Sequence, residues 1–145
     1  MKSRSSVLFA LALLIATSLA CKLLSGDQST PTEASPISNV YLANDPEGLN
    51  KTNVFAPKEA IYIFFDADAA EIGTYFEARW YVLDKPDVMD PTVPFTTSNY
   101  TYNGGSKTVH AFIQSSHPDG FPSTQCKVEI YMDGVKVAEQ LFTIR

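Results

Sequence analysis

Motifs that carry chemistry are scarce in this 145-residue chain, and cysteine is the clearest case, with only two in the whole sequence. No C-x-x-C pair is present, so the sequence offers no redox motif of that type. No serine lies in a G-x-S-x-G turn, and no glycine-rich phosphate loop precedes a helical pattern. Because an enzyme would need a base and a nucleophile that this sequence does not suggest, we expect no catalytic residues and no cofactor.

Basic residues are also few. The chain has 11 Lys and Arg against 16 Asp and Glu, and removal of residues 1–20 with Lys2 and Arg4 would lower the net charge from −5 to −7. Nucleic-acid binding needs a basic footprint, so this balance excludes DNA or RNA as the expected partner. It also argues against anionic lipid being held by the protein's own charge.

The apolar run at residues 7–16 is too short to span a bilayer comfortably. Lys2 and Arg4 precede the run, and small residues follow it up to Ala20. This three-part pattern predicts a secretory signal peptide over residues 1–20. We therefore expect an exported protein whose folded domain lies outside the cytoplasm.

The segment Thr17-Ser18-Leu19-Ala20-Cys21 resembles the bacterial lipobox, in which a small residue precedes the cysteine that is lipidated and becomes the mature amino terminus. Ser18 stands where a Leu is usual, and Leu19 stands where a small residue is favoured. The resemblance implies lipidation at Cys21, with a diacylglyceryl thioether and an acylated amino group, for which palmitate is the expected acyl chain. Several acyl chains hold a domain on a membrane where one chain binds marginally. The alternative is an ordinary cleaved signal in which Cys21 is incidental.

Residues 21–38 are rich in Ser, Thr, Pro and acidic residues and predict a disordered tether with a reach of roughly 20–25 Å. Lys22 follows the cysteine in place of the Asp that, in the proteins it resembles, favours retention at the inner membrane. The expected location is thus the cell membrane or, in a cell that has one, the outer membrane.

Residues 39–145 predict one all-β domain, since the chain is 45% hydrophobic and 12% aromatic and its apolar residues alternate with period two. The candidate strands are residues 39–43, 54–55, 60–66, 73–83, 96–102, 107–114 and a hairpin at 126–145. In the strand at 107–114 the sequence leaves open whether Val109, Ala111 and Ile113 or His110 and Phe112 face the core.

The closing hairpin has a core row of Cys126, Val128, Ile130 and Met132, and Asp133-Gly134 supplies a two-residue type I′ turn. We therefore interpret Cys126 as a small buried hydrophobe, which forms no intrachain disulfide if Cys21 is lipidated.

The second strand of the hairpin needs a change of register. The turn pairs Met132 with Val135 and Ile130 with Val137, but the same register would put Glu139 on the core side. A β-bulge within residues 138–140 would correct this and bring Phe142 opposite Cys126. We therefore predict a bulge there.

About seven short strands, Trp80 on a central strand and a long final hairpin resemble an immunoglobulin-like or fibronectin type III-like antiparallel β-sandwich. Residues 121–134 resemble a pattern, W/F-P-x-G-x-Y-x-V-x-I-Y-x-D-G, of sandwich domains in bacterial surface lipoproteins. Thr124 replaces its glycine and Cys126 its tyrosine, so the resemblance implies no tyrosine corner. It also implies that Trp80 is the core tryptophan, without a disulfide beside it.

Metal-binding candidates in the sequence are weak. Asp66, Asp68 and Glu71 have calcium-like spacing without the other features of an EF-hand, and two loops could share an ion if Asp84, Asp87 and Asp90 joined them. The alternative is a solvated acidic rim. A copper site would need the four soft-metal ligands His110, His117, Cys126 and Met132, whose spacing gives no support. We expect no metal.

The candidate binding face is formed by outward residues of the strand at 73–83 and of the hairpin, if these strands are neighbours. It comprises Tyr75, Tyr81, Tyr131 and Arg79, interspersed with Glu77, Lys127 and Glu129. Tyrosine combines contact area with a polar tip, which suits a protein or glycan partner. The alternative is that tyrosine is simply a good strand residue.

The sequence therefore predicts a membrane-anchored lipoprotein whose β-sandwich binds or scaffolds another component of the cell envelope. The alternative function is a small ligand-binding or metal-binding envelope lipoprotein that uses Ca²⁺ or copper.

Overall fold

The computed structural model describes residues 35–145, so the predictions for the signal peptide, for Cys21 and for most of the tether lie outside the described residues. Eight strands form the domain: β1 Ser38–Ala43, β2 Val54–Phe55, β3 Ile61–Asp66, β4 Tyr75–Val82, β5 Thr96–Thr101, β6 Thr108–Ile113, β7 Thr124–Met132 and β8 Val135–Ile144. Residues 35–145 contain no helix, and so none that could cross a membrane.

The strands form two sheets. One has the order β1-β3-β6 and the other has the order β2-β8-β7-β4-β5. Every pairing between strands is antiparallel except that of β2 with β8, which is parallel. The predicted immunoglobulin-like β-sandwich of about seven strands is confirmed, and all eight observed strands correspond to candidate segments of the sequence; the parallel pair was not predicted.

The core lies between the sheets and is built from the inward residues of both. Its largest fully buried side chains are Trp80, Phe55, Phe65, Ile61, Ile63, Ile130, Ile144, Val128 and Cys126. Trp80 packs edge-on against Phe142, with ring centroids 6.0 Å apart. The core tryptophan implied by the sequence resemblance is therefore present, and Cys126 is a free buried thiol as predicted.

The orientation of β6, which the sequence left open, follows from its register with β3. Ile63 is fully buried and pairs with Ala111, so the alternate residues Val109 and Ile113 face the core. Phe112 points outward and is 51% exposed. Its ring stacks on that of Tyr62 at 5.2 Å, which gives the outer face of the three-stranded sheet an aromatic surface.

The hairpin turn forms as predicted. Asp133 and Gly134 both have positive φ, 49° and 84°, which is the type I′ conformation, and Met132 pairs with Val135. The turn is also fixed to β4, because the Asp133 carboxylate accepts a hydrogen bond from the Tyr75 backbone N–H at 2.9 Å.

The predicted bulge exists but lies one residue earlier than expected. Tyr131 pairs with Lys136 and Ile130 with Ala138, so Val137 is the extra residue and the predicted pairing of Ile130 with Val137 is wrong. The early bulge places small Ala138 on the core side and leaves Glu139 on the outer face. The predicted pairing of Cys126 with Phe142 is confirmed.

Candidate functional site

Strands β4 and β7 are neighbours, which places the predicted binding residues on one surface. Glu77 pairs with Tyr131, Arg79 with Glu129 and Tyr81 with Lys127. We call this outer surface of the five-stranded sheet the network face; its residues are Tyr75, Glu77, Arg79, Tyr81, Lys127, Glu129, Tyr131, Lys136 and Glu139. Strict alternation along β4 and β7 places the first seven side chains on one face, and the bulge in β8 brings Lys136 and Glu139 onto the same face.

Glu129 lies at the centre of the network face and is 6% exposed although it points away from the core. Its carboxylate accepts hydrogen bonds from Lys127 Nζ at 2.8 Å, Lys136 Nζ at 2.8 Å and the Tyr131 hydroxyl at 2.9 Å. Lys136 also contacts Glu139, at 2.6 Å. A buried carboxylate with this many donors is held in one position.

The surroundings of Glu129 act on its pKa in opposite directions. Desolvation raises the pKa, but hydrogen bonds from Lys127, Lys136, Tyr131 and Tyr81 outweigh it and hold the pKa well below its ordinary value of 4.5. The hydrogen bonds to Glu129 and to Glu139 raise the pKa of Lys136. These groups are therefore fully charged at neutral pH.

Arg79 connects Glu77 with Tyr131 on the network face. Its guanidinium lies 3.8 Å from the centre of the Tyr131 ring, and its Nε donates to Glu77. The hydrogen bond to Glu77 raises the pKa of Arg79. A cation over a tyrosine ring is attracted by the negative face of that ring, so Arg79 and Tyr131 hold one another in place.

The three predicted tyrosines differ in exposure. Tyr75 is 39% exposed and Tyr131 is half-buried, whereas Tyr81 is only 5% exposed. Lys127 covers Tyr81, with Nζ 4.7 Å from the ring centre. Burial and then the hydrogen bond to Glu129 raise the pKa of Tyr81 to about 12. Tyr81 is thus a buried member of the network face that Lys127 covers. Tyr75, Arg79 and Tyr131 are the members that a partner could contact.

The three calcium candidates do not converge. Asp66 accepts hydrogen bonds from Thr108 Oγ1 at 2.7 Å and from Asn39 Nδ2 at 3.2 Å, and Asp68 accepts one from Ser38. Within residues 35–145 no group of three His, Cys, Asp or Glu side chains could hold a metal ion, and Glu71 belongs to no such group. Asp66 and Asp68 serve instead to fix the start of β1.

The two acidic loops lie at opposite ends of the domain. Residues 67–74 precede β4 and residues 83–95 follow it, and an eight-residue strand separates its ends by roughly 26 Å. Asp84 is moreover engaged by Thr124 Oγ1, which lowers the pKa of Asp84. The hypothesis that these loops share one ion is therefore wrong.

The copper candidates are separated by the sheets. Cys126 is 1% exposed between them, whereas His110 points outward from the three-stranded sheet and is exposed. Burial, followed by the charge of Asp84, raises the pKa of the Cys126 thiol to about 12, so the thiolate that copper would bind is disfavoured. The structure thus does not bring the predicted ligands together.

A cavity that the sequence did not predict opens between β5 and β6. Its volume is about 210 Å³, and it reaches core side chains such as Phe76 and Ile130 past the small residues Ser98 and Ala111. The only signal in the sequence is that neither strand contains Lys, Arg, Asp or Glu, which is uncommon for strands at sheet edges.

Neither a known protein family nor a curated protein matches the chain. Among solved structures, an immunoglobulin-like protein from Pseudomonas aeruginosa is 13% identical, with a TM-score of 0.50; the match covers 77% of this chain and 94% of that one. A DNA-bound alkylpurine DNA glycosylase from Pseudomonas fluorescens is 13% identical with a TM-score of 0.44; the match covers 75% of this chain and only 30% of the glycosylase. The first likeness shows an immunoglobulin-like fold.

Proposed function

We propose that this protein is a membrane-anchored lipoprotein of the cell envelope whose β-sandwich is a non-enzymatic binding or scaffolding module. The anchor is a lipid on Cys21, and the partner is an envelope protein or glycan. The lipobox-like segment supports the anchor, and the immunoglobulin-like fold, which many binding modules share, is consistent with the second part without fixing it.

The network face is the observation that carries the binding function. Arg79 and Tyr131 present contact area in a fixed arrangement, because Glu77 holds Arg79 through an ion pair and Glu129 accepts a hydrogen bond from the Tyr131 hydroxyl. Tyr75 lies on the same face and is 39% exposed. Tyrosine and arginine are the residue types that dominate binding energy at protein interfaces. A surface that is ordered before binding loses less side-chain entropy when a partner arrives.

The protonation states of the network face fit recognition better than catalysis. Glu129 is ionised and Tyr81 is neutral throughout the physiological pH range. A general acid or base works best when its pKa lies near the operating pH, and neither group meets that condition. The face therefore offers fixed charges and aromatic surface to a partner.

The anchor is tested by growing cells that produce the full chain with radiolabelled palmitate. We expect the wild-type protein to carry the label and to be found in the membrane fraction. The Cys21→Ser variant should show neither the label nor membrane association. A Cys126→Ser variant is the matched control and should keep the label. An unlabelled wild-type protein would leave an ordinary cleaved signal as the explanation of residues 1–21.

The binding face is tested by photo-crosslinking in the same cells, with a photoreactive phenylalanine analogue at position 75. We expect a discrete crosslinked product that is lost when Arg79→Ala is added. The analogue at position 49, where Leu49 is 81% exposed in the turn after β1 of the other sheet, is the control. If the amount of crosslinked product stayed the same in the Arg79→Ala variant, the network face would not be the binding surface.

A further inference from the structure

The four strands at the sheet edges are treated differently. An exposed edge presents unpaired backbone N–H and C=O groups, and native proteins protect it with bulges, short strands, proline or charge. Strand β1 carries a register shift between Ser38 and Tyr41, and β2 has only two residues. These two edges are therefore protected.

Strands β5 and β6 lack every one of these devices. Each has six residues, and neither shows a register shift against its partner. Neither strand contains Pro, Lys, Arg, Asp or Glu, although residues 35–145 hold 14 acidic and 8 basic residues. Two regular edges without Lys, Arg, Asp or Glu thus lie on the same side of the sandwich, one from each sheet.

The cavity of about 210 Å³ lies between these two edges, and we call the space along them the edge groove. Ser98 of β5 and Ala111 of β6 are half-buried at its mouth, and their small side chains leave the core accessible. Its floor consists of core residues from three other strands: Phe65, Phe76, Ala78 and Ile130. A cavity of this size accommodates an apolar side chain.

The edge groove continues beyond the cavity in both directions. A second depression shares Tyr100, Val109 and His110 with it, and a third shares Ser98 and Phe112. The groove therefore follows the whole of β6, which at six residues is about 20 Å long. That length fits an extended segment of about six residues.

The outer side of β6 favours it over β5 as the acceptor strand. A strand added to β6 would direct alternate side chains into the cavity beside Ala111 and onto the aromatic surface of Phe112, which is 51% exposed. The outward residues of β5 are polar and offer less contact, as in Thr97 and Asn99. Cross-strand contact with an aromatic ring stabilises a pairing.

The charges around the edge groove restrict which kinds of segment could bind in it. The three depressions of the groove are lined by no Lys, Arg or Asp and by a single carboxylate, Glu77, which is already bonded to Arg79, so an uncharged segment fits them best. The domain around them has a net charge of −6 over residues 35–145, which attracts basic flanks and repels acidic ones.

We propose that the edge groove binds an extended polypeptide segment of a partner protein as an additional strand on β6. The segment is uncharged over about six residues, places one apolar side chain in the cavity and has basic flanks. Main-chain hydrogen bonds to the free edge supply affinity, and the cavity supplies specificity. The inference deepens the proposed binding function and rests on it, but it assigns a surface distinct from the network face.

The test selects dodecapeptides from a random phage-displayed library against the purified full chain in detergent micelles. We expect enriched peptides with an uncharged apolar centre and basic flanks, which protect β6 amides from hydrogen exchange when they bind. Ala111→Lys should weaken binding about tenfold or more, because the new side chain occupies the groove. Thr97→Lys is the matched control on an outward position and should bind as the wild type does.

Two further samples keep the result decisive. Ser98→Leu blocks the groove from the opposite wall and should weaken binding similarly if Ala111→Lys fails to fold. A version of the selected peptide that is N-methylated at alternate residues keeps its side chains. It loses the backbone N–H donors along one edge of the extended strand, so it should not bind. Equal binding of the methylated and unmethylated peptides, or of the wild type and both groove variants, would overturn strand addition.

Other occupants give other outcomes, and each would overturn the proposal. A dimer of the free chain that Ala111→Lys dissociates would identify a second copy as the occupant. Protection of β6 in the free chain that is lost on deletion of residues 22–34 would identify the chain's own amino-terminal segment. Failure of the groove would leave crosslinking at position 75 and palmitate labelling unchanged, so it is distinguishable from failure of the proposed function.

Discussion

The network face covers the outer surface of the five-stranded sheet, whereas the edge groove lies between the edge of that sheet and the edge of the three-stranded sheet, and the two surfaces have opposite character. On the network face each charged group is matched by a neighbour, with Glu129 alone accepting three short hydrogen bonds. Along the groove two strand edges carry no side chain that protects them, and a cavity remains open between them. The domain therefore offers a rigid surface with satisfied polar groups on one face of the five-stranded sheet, and unpaired backbone groups where the edges of the two sheets meet.

This difference indicates how each surface would bind. A saturated surface can contribute shape and ordered aromatic contacts, but its polar groups have little left to gain from a partner. An unpaired edge offers main-chain donors and acceptors that a partner strand can satisfy all at once. Specific side-chain recognition is thus expected on the network face, and backbone recognition in the groove.

The largest effect is expected from removing the centre of the network. Glu129→Ala leaves Lys127 and Lys136 without their buried counter-charge and should lower the free energy of unfolding by about 3 kcal/mol. Glu139→Ala removes an acceptor that is 38% exposed and should cost less than about 1 kcal/mol. Chemical denaturation of both variants measures the difference, and equal losses would show that Glu129 is no more important than a surface carboxylate.

A smaller, pH-dependent effect isolates the charge of Glu129. Because its folded-state pKa is below the unfolded value, the carboxylate stabilises the fold above about pH 4.5 and loses this contribution as the pH falls further. Glu129→Gln should therefore be less stable than the wild type at pH 7, by about 1–2 kcal/mol, and the difference should shrink towards pH 3. Urea denaturation across this range tests it; a constant difference would exclude the charge as its cause.

In the groove a substitution is expected to stabilise rather than destabilise. Ala111→Val adds two methyl groups at the mouth of the cavity and should raise the free energy of unfolding by up to about 1 kcal/mol. The same change at Ala67, which is 2% exposed in the core and does not line the cavity, should destabilise the fold through overpacking. Thermal unfolding distinguishes the two, and a destabilising Ala111→Val would mean that the cavity is not free to accept a side chain.

The smallest effect is expected at the border of the groove. Thr97→Lys places a charge on an exposed, outward position of β5 and should change stability by less than about 0.5 kcal/mol. Light scattering of concentrated protein should show less association for Thr97→Lys than for the wild type, because lysine protects a strand edge. Identical scattering would indicate that the edge of β5 does not promote self-association, which would leave β6 as the edge that could.

Much of the fold could be predicted because local patterns determine it. Alternation identified Trp80 as a core residue and placed Tyr75, Arg79 and Tyr131 on one side of their strands. The turn at Asp133 was equally local. The bulge was predicted to exist because Glu139 had to leave the core, but its position at Val137 depends on which small residue fits opposite Ile130, and that is a matter of packing.

The remaining features depend on neighbours that are distant in the sequence. Tyr81 has the pattern of an exposed strand residue, and its burial results from Lys127 lying across its ring. The edge groove exists because β5 and β6 end their sheets on the same side, which follows from strand order rather than from either strand's residues. The two acidic loops flank the strand predicted at residues 73–83, so the length of that strand already conflicted with the hypothesis that they share one ion.

The parallel pairing of β2 with β8 decides how the domain would bear mechanical load. Thr143 N–H donates to Asn53 at 2.9 Å and Arg145 N–H donates to Phe55 at 3.0 Å, so the last strand is bonded to a segment near the beginning of the domain. A pull on the amino-terminal side and on Arg145 displaces two parallel strands along their own length. All their hydrogen bonds then resist together instead of opening one after another. If the domain is anchored by its amino terminus, as proposed, a pull on it would load the hydrogen bonds between β2 and β8 in shear.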